Sequence, residues 1–299
     1  MWFKNLKIFT LTSPLSLDDD TFEQQLSEQI FRPCGNQDIA SAGWVSPITG
    51  GASLFHAGDG RYLLSLKKQE RVLPAAVVNA ELEERVQKIE ADTGAPVSKK
   101  AKQDLKQEIT QEFLPKAFTR DSYTFGFISP KDNLVIVDSS SDGKVEAFLA
   151  TLRKCLGSLP VVPLARRSLS ADLTLWLSQD QTPADIELLE EAEFKSPDED
   201  GAVIRCKNQP LDTDEIRLHL DAGKLVQKLA IEWDETLSAI VQEDLAIKRL
   251  KFTDVIKDQN DDIPKDEQAA RLDADFCLMS AEVIRFVQAL DKAFELSED

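Results

Sequence analysis

The sequence predicts an α+β protein: two β-sheet/helix halves of similar plan, with a helical hairpin inserted in the first. Three observations carry this. Short β-rich runs occur in both halves of the 299 residues, and each set closes with a helix-periodic stretch. Between Pro74 and Pro115 two helical patterns follow one another across a tight turn. The later strands succeed one another as an antiparallel meander. On this plan residues 1–73 and 121–168 form the first half, 74–120 the hairpin tip, and 169–299 the second half with its acidic base region. With 42% hydrophobic and 29% charged residues the chain can bury real cores and is not a disordered one.

Phe3 to Leu11 is β-rich and reads as the first strand. Asp18, Asp19 and Asp20 before Thr21 mark a helix start, where acidic groups offset the positive end of the helix dipole. Cys34 to Gly60 is rich in glycine and proline and reads mostly as loop. Its glycines do not have dinucleotide-fingerprint spacing. Arg61 to Leu66 is a strand. Pro74 suits a first helical turn, and Val78, Leu82, Val86 and Ile89 give that helix an apolar stripe. Thr93-Gly94-Ala95-Pro96 is a turn, Ser98 caps a second helix striped by Ala101, Leu105, Ile109 and Phe113, and Pro115 stops it.

Tyr123–Ile128 and Leu134–Asp138 alternate as paired strands, and Lys144–Leu156 is a helix. The second half starts near Leu173. Val203–Lys207 is a strand and Asp214–Asp221 a short helix. Leu225–Trp233, Leu237–Val241 and Ile247–Phe252 form the meander. A strand at Phe276–Met279 followed by a helix through Phe294 is expected to repeat the ending of the first half.

The net charge of -18 is unevenly placed. Residues 171–299 hold 14 basic and 32 acidic side chains, while the first 170 residues are neutral overall and residues 61–120 carry +3. Net acidity argues against a polyanionic partner unless a basic surface faces away from an acidic exterior. The cysteines at 34, 155, 206 and 277 lie outside metal-clip spacing and, with His56 and His219 the only histidines, no zinc site or disulfide framework can be read. The Asp258–Asp262 run fails as a calcium loop, because position six is Ile263 and position twelve Ala269. No Walker A sequence occurs. No cofactor or metal is expected. No apolar run approaches membrane-span length, and residues 1–11 lack a signal-peptide core, so a soluble, cytoplasmic protein is expected.

Several motifs resemble the RdgC family of recombination-associated proteins. They are Trp2-Phe3-Lys4-Asn5-Leu6, Phe31-Arg32-Pro33-Cys34-Gly35 with Gly43-Trp44-Val45, and Leu114-Pro115-Lys116-Ala117-Phe118. Leu152 to Leu164, Lys248-Arg249-Leu250-Lys251-Phe252, Asp258-Gln259-Asn260 with Asp262-Ile263, and Asp273-Ala274-Asp275-Phe276 extend the likeness along the whole chain. The resemblance implies an elongated, curved subunit forming a ring-shaped homodimer that encircles duplex DNA with little sequence preference. It further implies single-strand binding, nucleoid association and restraint of RecA-promoted strand exchange, without catalysis. A metal-dependent nuclease or other DNA-processing enzyme is the alternative.

A sequence-indifferent DNA binder needs phosphate-facing cations. The candidates are Lys67, Lys68 and Arg71; Lys99, Lys100, Lys102 and Lys106; Lys116 and Arg120; Arg153 and Lys154; Arg166 and Arg167; and Lys248, Arg249 and Lys251. Any one alone reads as a solvated surface charge; their concentration in the middle of an acidic chain points to a shared surface. Phe118, between Lys116 and Arg120 on an expected turn, can stack on a base, plug a partner's pocket, or belong to the core. In the RdgC-like pattern the matching phenylalanine closes a subunit contact. Gln209 matches a residue near the other contact, and Asn208 stands where a basic residue is more usual.

Overall fold

The computed structural model describes residues 1–179, 181–198, 201–260, 263–264 and 267–298. The first sheet is assembled from β1 (Lys7–Leu11), β2 (Ala40–Val45), β3 (Phe55–Gly58), β4 (Arg61–Val72), β5 (Phe118–Ser129), β6 (Leu134–Asp138) and β7 (Val161–Pro163). Its order is β2-β4-β5-β6-β1-β7, with β3 also against β4, and every pairing between these strands is antiparallel. α1 (Asp19–Ser27) and α4 (Asp142–Leu156) cover one face. Asp18 caps α1 by accepting from the Thr21 amide, as the acidic run predicts. Phe22 and Leu26 of α1, and Val145, Phe148, Leu149 and Leu152 of α4, close on Leu64, Leu66, Ile128, Val135 and Val137. Trp44 completes this core, donating its indole N–H to Cys155 Sγ at 3.2 Å and meeting Phe148 edge-on.

The second sheet has the order β12-β11-β10-β8-β9, again all antiparallel. Its strands are β8 (Ile186–Lys195), β9 (Val203–Lys207), β10 (Leu225–Trp233), β11 (Leu237–Gln242) and β12 (Ile247–Phe252). β10 and β11 alternate cleanly: Leu229, Ile231, Trp233, Leu237, Ala239 and Val241 point inward. Against them packs the 27-residue α8 (Gln268–Phe294), whose Phe276, Met279, Val283, Val287, Leu290 and Phe294 are buried. The same core reaches Ile8, Leu63, Phe127 and Ile136 on the inner face of the first sheet. The layers therefore run α1/α4, first sheet, α8, second sheet. α5 (Ser170–Gln179), α6 (Asp214–Asp221) and the short α7 (Asp254–Lys257) belong to the second half.

The structure adds to or departs from the sequence expectations in several places. Phe276–Met279 is not a strand but part of α8: a short apolar run does not distinguish strand from buried helix, and here the apolar residues continue at helical spacing. The Cys34–Gly60 stretch is mostly loop, as expected, and holds the short strands β2 and β3 within it. β4 continues to Val72, and β5 begins five residues before Tyr123, because these extensions leave the core and carry no apolar alternation. β8 carries no clear strand signal in the sequence, because glutamates at its outward positions mask the inward Ile186, Ala192 and Phe194. Of the Asp258–Asp262 run, residues 258–260 form a 3-10 turn, and Asp261 and Asp262 lie outside the described residues.

The chain's start joins the two sheets. Leu6 exchanges backbone hydrogen bonds with Ile247 at 2.8 and 3.0 Å, and the next residues enter β1 of the first sheet. Asp138, at the end of β6, holds this crossover: its Oδ1 accepts from the Lys4 amide at 3.0 Å and the Asn5 amide at 2.8 Å. Burial pushes the Asp138 carboxyl above the usual carboxylate range, against the two amides that favour its charge. Folding thus binds the proton more tightly at this site, so the site's contribution falls as pH rises from the ordinary to the raised pKa. Asp138→Asn keeps an acceptor and removes the buried charge, so melting at pH 7 should be unchanged or higher. Asp138→Ala leaves two amides unpaired and should cost about 1–3 kcal/mol. Equal loss in both variants, read by denaturant unfolding, would contradict this role.

Candidate nucleic-acid interface

β4 and β5 pair without interruption from Tyr62–Ile128 to Val72–Phe118. The inner end of this ribbon lies in both cores and the outer end in neither. α2 (Ala75–Thr93) and α3 (Lys99–Phe113) connect its outer ends. Gly94 ends α2 in the left-handed region at φ +66°, and Ser98 caps α3 by accepting from the Ala101 amide, as their residue types predict. Val78, Val86, Ile109 and Leu114 are buried here but belong to neither large core. Arg85 clamps the helices together, donating to Glu81 at 2.7 Å and Glu112 at 2.6 Å. Its hydrogen bond holds the Glu112 carboxyl below the usual range.

The candidate cations divide by what they touch. Lys99, Lys100, Lys102 and Lys106 are exposed on α3 and make no ion pair among the described residues. No acidic residue occupies the first turn of α3, so Lys99, Lys100 and Lys102 add to the positive end of the helix dipole rather than oppose it. Lys116 is exposed in the 3-10 turn that follows. Lys67 instead binds Asp121 at 2.7 Å; that hydrogen bond raises the lysine and lowers the carboxyl. Lys68 and Arg120 share Glu70, whose carboxyl they hold low. Arg71 donates to the Pro115, Ala117 and Gly35 carbonyls, at 3.1–3.2 Å, and so pins the turn that carries Phe118.

Farther away, Arg153 and Lys154 stand exposed in the last turn of α4, where they also suit the helix dipole. Arg166 is exposed, whereas Arg167 is tied to Asp172 and the Phe294 carbonyl. On the outer face of the second sheet, Arg249 pairs with Glu191 and lines a shallow groove with Lys207, Asn208 and Lys251; Lys248 is half-buried on the same strand. Gln209 donates to Glu215 at 3.0 Å. The candidates therefore fall into separate groups, on the ribbon and its helix pair, at the end of α4, on the segment before α5, and on the second sheet.

Phe118 opens β5 opposite Val72 and so stands on a strand end rather than the expected turn. Its side chain is 88% exposed, and Val72 and Val77 beside the ribbon end are also exposed. That rules out the core reading of Phe118 within one subunit.

The geometry defines a two-sheet α+β protein with an exposed aromatic at the outer end of one ribbon and, on the helix pair that joins its strands, lysines without an ion pair among the described residues. The family model described as "Putative exonuclease, RdgC" matches residues 1–297. Recombination-associated protein RdgC of Pseudoalteromonas atlantica is 58% identical over 299 residues, covering 100% of this chain and 99% of that protein. The proteins of that name from Aeromonas hydrophila and Psychromonas ingrahamii are 47% and 46% identical, over 97% and 98% of this chain and 96% and 98% of theirs. This chain belongs to the RdgC family of recombination-associated proteins.

If Arg71 holds the outer turn through three carbonyls, Arg71→Lys cannot replace it, since one ammonium does not span the fork's directions. Amide exchange at residues 115–118 should quicken in both Arg71→Lys and Arg71→Ala. Protection equal to the parent in Arg71→Lys would contradict the clamp.

Proposed function

We propose that this chain is a non-catalytic, sequence-indifferent DNA-binding protein that closes around duplex DNA as a ring-shaped homodimer. It also binds single strands, associates with the nucleoid, and restrains RecA-promoted strand exchange by occupying the DNA on which RecA acts. The carrying observation is Phe118, a phenylalanine 88% exposed at the outer end of a two-stranded ribbon whose helix pair carries lysines that make no ion pair among the described residues. An exposed aromatic of this kind suits a partner's pocket, and a two-fold ring requires two separate self-complementary contacts. Asn208 and Gln209, directly after β9 at the edge of the second sheet, are the proposed second contact. With the acidic second half turned outward and the unpaired lysines inward, the chain's net charge no longer opposes DNA.

The exonuclease named in the family description calls for converging carboxylates to hold a metal. Among the described residues no three His, Cys, Asp or Glu side chains form such a group. Glu70, Asp121, Glu112 and Glu193 are instead each bound to a lysine or arginine. These pairs support the binding reading over the enzymatic one. Linear duplex incubated with the protein and Mg²⁺ or Mn²⁺ should stay intact, and stepwise shortening would favour the exonuclease.

Affinity should fall steeply with salt, through release of phosphate counterions. Replacing Lys99, Lys100, Lys102 and Lys106 together by alanine should reduce the slope of log K against log salt by about one unit for each lysine that meets a phosphate. An unchanged slope would place the helix pair outside the complex and leave the DNA to Arg153, Lys154 and the Lys248–Lys251 run. Light scattering should return a dimer for the parent and for Phe118→Ala, because the second contact persists, while duplex affinity falls modestly. A monomeric parent would end the ring proposal; a selective single-strand loss in Phe118→Ala would reassign that ring to base stacking.

A further inference from the structure

Midway along the ribbon lies a cavity that encirclement does not use. In register Lys67 stands opposite Tyr123 and Ser65 opposite Phe125, so all four share one sheet face, next to the larger core. Gly43 stands opposite Lys67 on the other side. A Cβ at Gly43 would lie 2.5 Å from the Phe31 Cα, so only glycine lets residues 29–31 close on β2, where Phe31 N–H donates to the Trp44 carbonyl at 3.0 Å. That closure sets the Phe31 ring 4.6 Å from Lys67 Nζ, with the Tyr123 ring 5.7 Å from the same nitrogen.

Together with the loop at Ser46–Gly50, these residues enclose a cavity of about 490 Å³. Phe31, Phe125 and Tyr123 supply aromatic walls, and Tyr123 is 51% exposed at the mouth. Ser65, among the lining residues, is 1% exposed, and its hydroxyl has no hydrogen-bond partner. A buried hydroxyl without a partner carries a free-energy cost that a polar ligand would remove.

We propose that this cavity takes a single unstacked nucleobase from a DNA strand, stacked on the exposed Tyr123 ring, with Ser65 at the base's polar edge and Lys67, seated over the Phe31 and Tyr123 rings beside Asp121, on the side of the adjoining phosphate. The proposal rests on the DNA-binding reading above and assigns the single-strand contact to a place. Aromatic faces accept any base, which suits a protein without sequence preference. An aromatic side chain from a second copy would also fill the space. It would leave the Ser65 hydroxyl unpaired, so the observations favour the base.

The test uses the full chain, labelled oligo(dT), and a duplex of equal length, read by fluorescence anisotropy, with dimer mass followed by light scattering. Tyr123→Ala should weaken oligo(dT) binding about tenfold, the effect of losing one stacked base, while duplex affinity and dimer mass hold. Tyr123→Phe keeps the ring and should restore binding. Competition by free dTMP should be weak, since the strand's neighbouring phosphates are absent; dTMP that displaces oligo(dT) at similar concentration would make this a free-nucleotide site and overturn the proposal. Equal loss on both DNA forms with a fall in dimer mass would assign the cavity to a protein contact and overturn it. Unchanged oligo(dT) affinity in Tyr123→Ala would overturn this inference while leaving DNA binding by the parent standing, whereas a parent that binds neither DNA would remove the underlying reading.

Discussion

The pairing of β4 with β5 is the constraint on which the rest of the molecule depends. Its inner half is fixed twice, by Leu63 and Phe127 in the larger core and by Leu64, Leu66 and Ile128 in the smaller. Its outer half carries the same ladder of backbone hydrogen bonds beyond both cores, to Val72 and Phe118. A two-stranded ribbon alone is marginal in water, so this one needs supports along its length. They are the cross-strand pairs Lys67–Asp121 and Glu70–Arg120, the Arg71 fork onto three carbonyls, and the helix pair that joins the two strand ends. The cost of holding a phenylalanine in water at the tip is borne by a scaffold anchored far inside the fold.

Electrostatics then divides the surface by function. Along the ribbon the cations are matched to carboxylates, and these pairs hold strands together in the manner of cross-strand neighbours. On α3 the opposite rule applies: Lys99, Lys100 and Lys102 crowd the positive end of the helix and Lys106 follows one turn on, an arrangement that contributes nothing to helix stability. The second half, with 32 acidic against 14 basic residues in 171–299, repels polyanions at long range and so limits where DNA can approach.

Much of this organisation was legible in the sequence where its causes are local. Pro74, Gly94, Ser98 and Pro115 delimit the helix pair because each acts through its own backbone geometry. The meander from Leu225 to Phe252 was legible because one of its faces is buried and the other wet. Features set by distant partners were not. β8 hides its inward residues among glutamates, and α8, buried between two sheets, loses the polar face that would have marked Phe276–Met279 as helical. Among site residues, the basic character of α3 could be read directly, but Arg71 and Arg167 looked like phosphate contacts until their carbonyl partners were in view. The Phe31–Tyr123 cavity depends on a glycine at 43 admitting a segment twelve residues earlier, a relation that spacing does not carry.

The central claim is topological, that two subunits enclose the duplex, and it is tested most directly by what ends the complex. The protein would be loaded at low salt on a nicked circular plasmid and on the same plasmid linearised, then washed at a salt concentration that dissolves phosphate contacts. A closed ring predicts that protein stays on the circle and slides off the free ends of the linear form. Equal loss from both would contradict encirclement and reduce the protein to a surface binder held by its lysines alone.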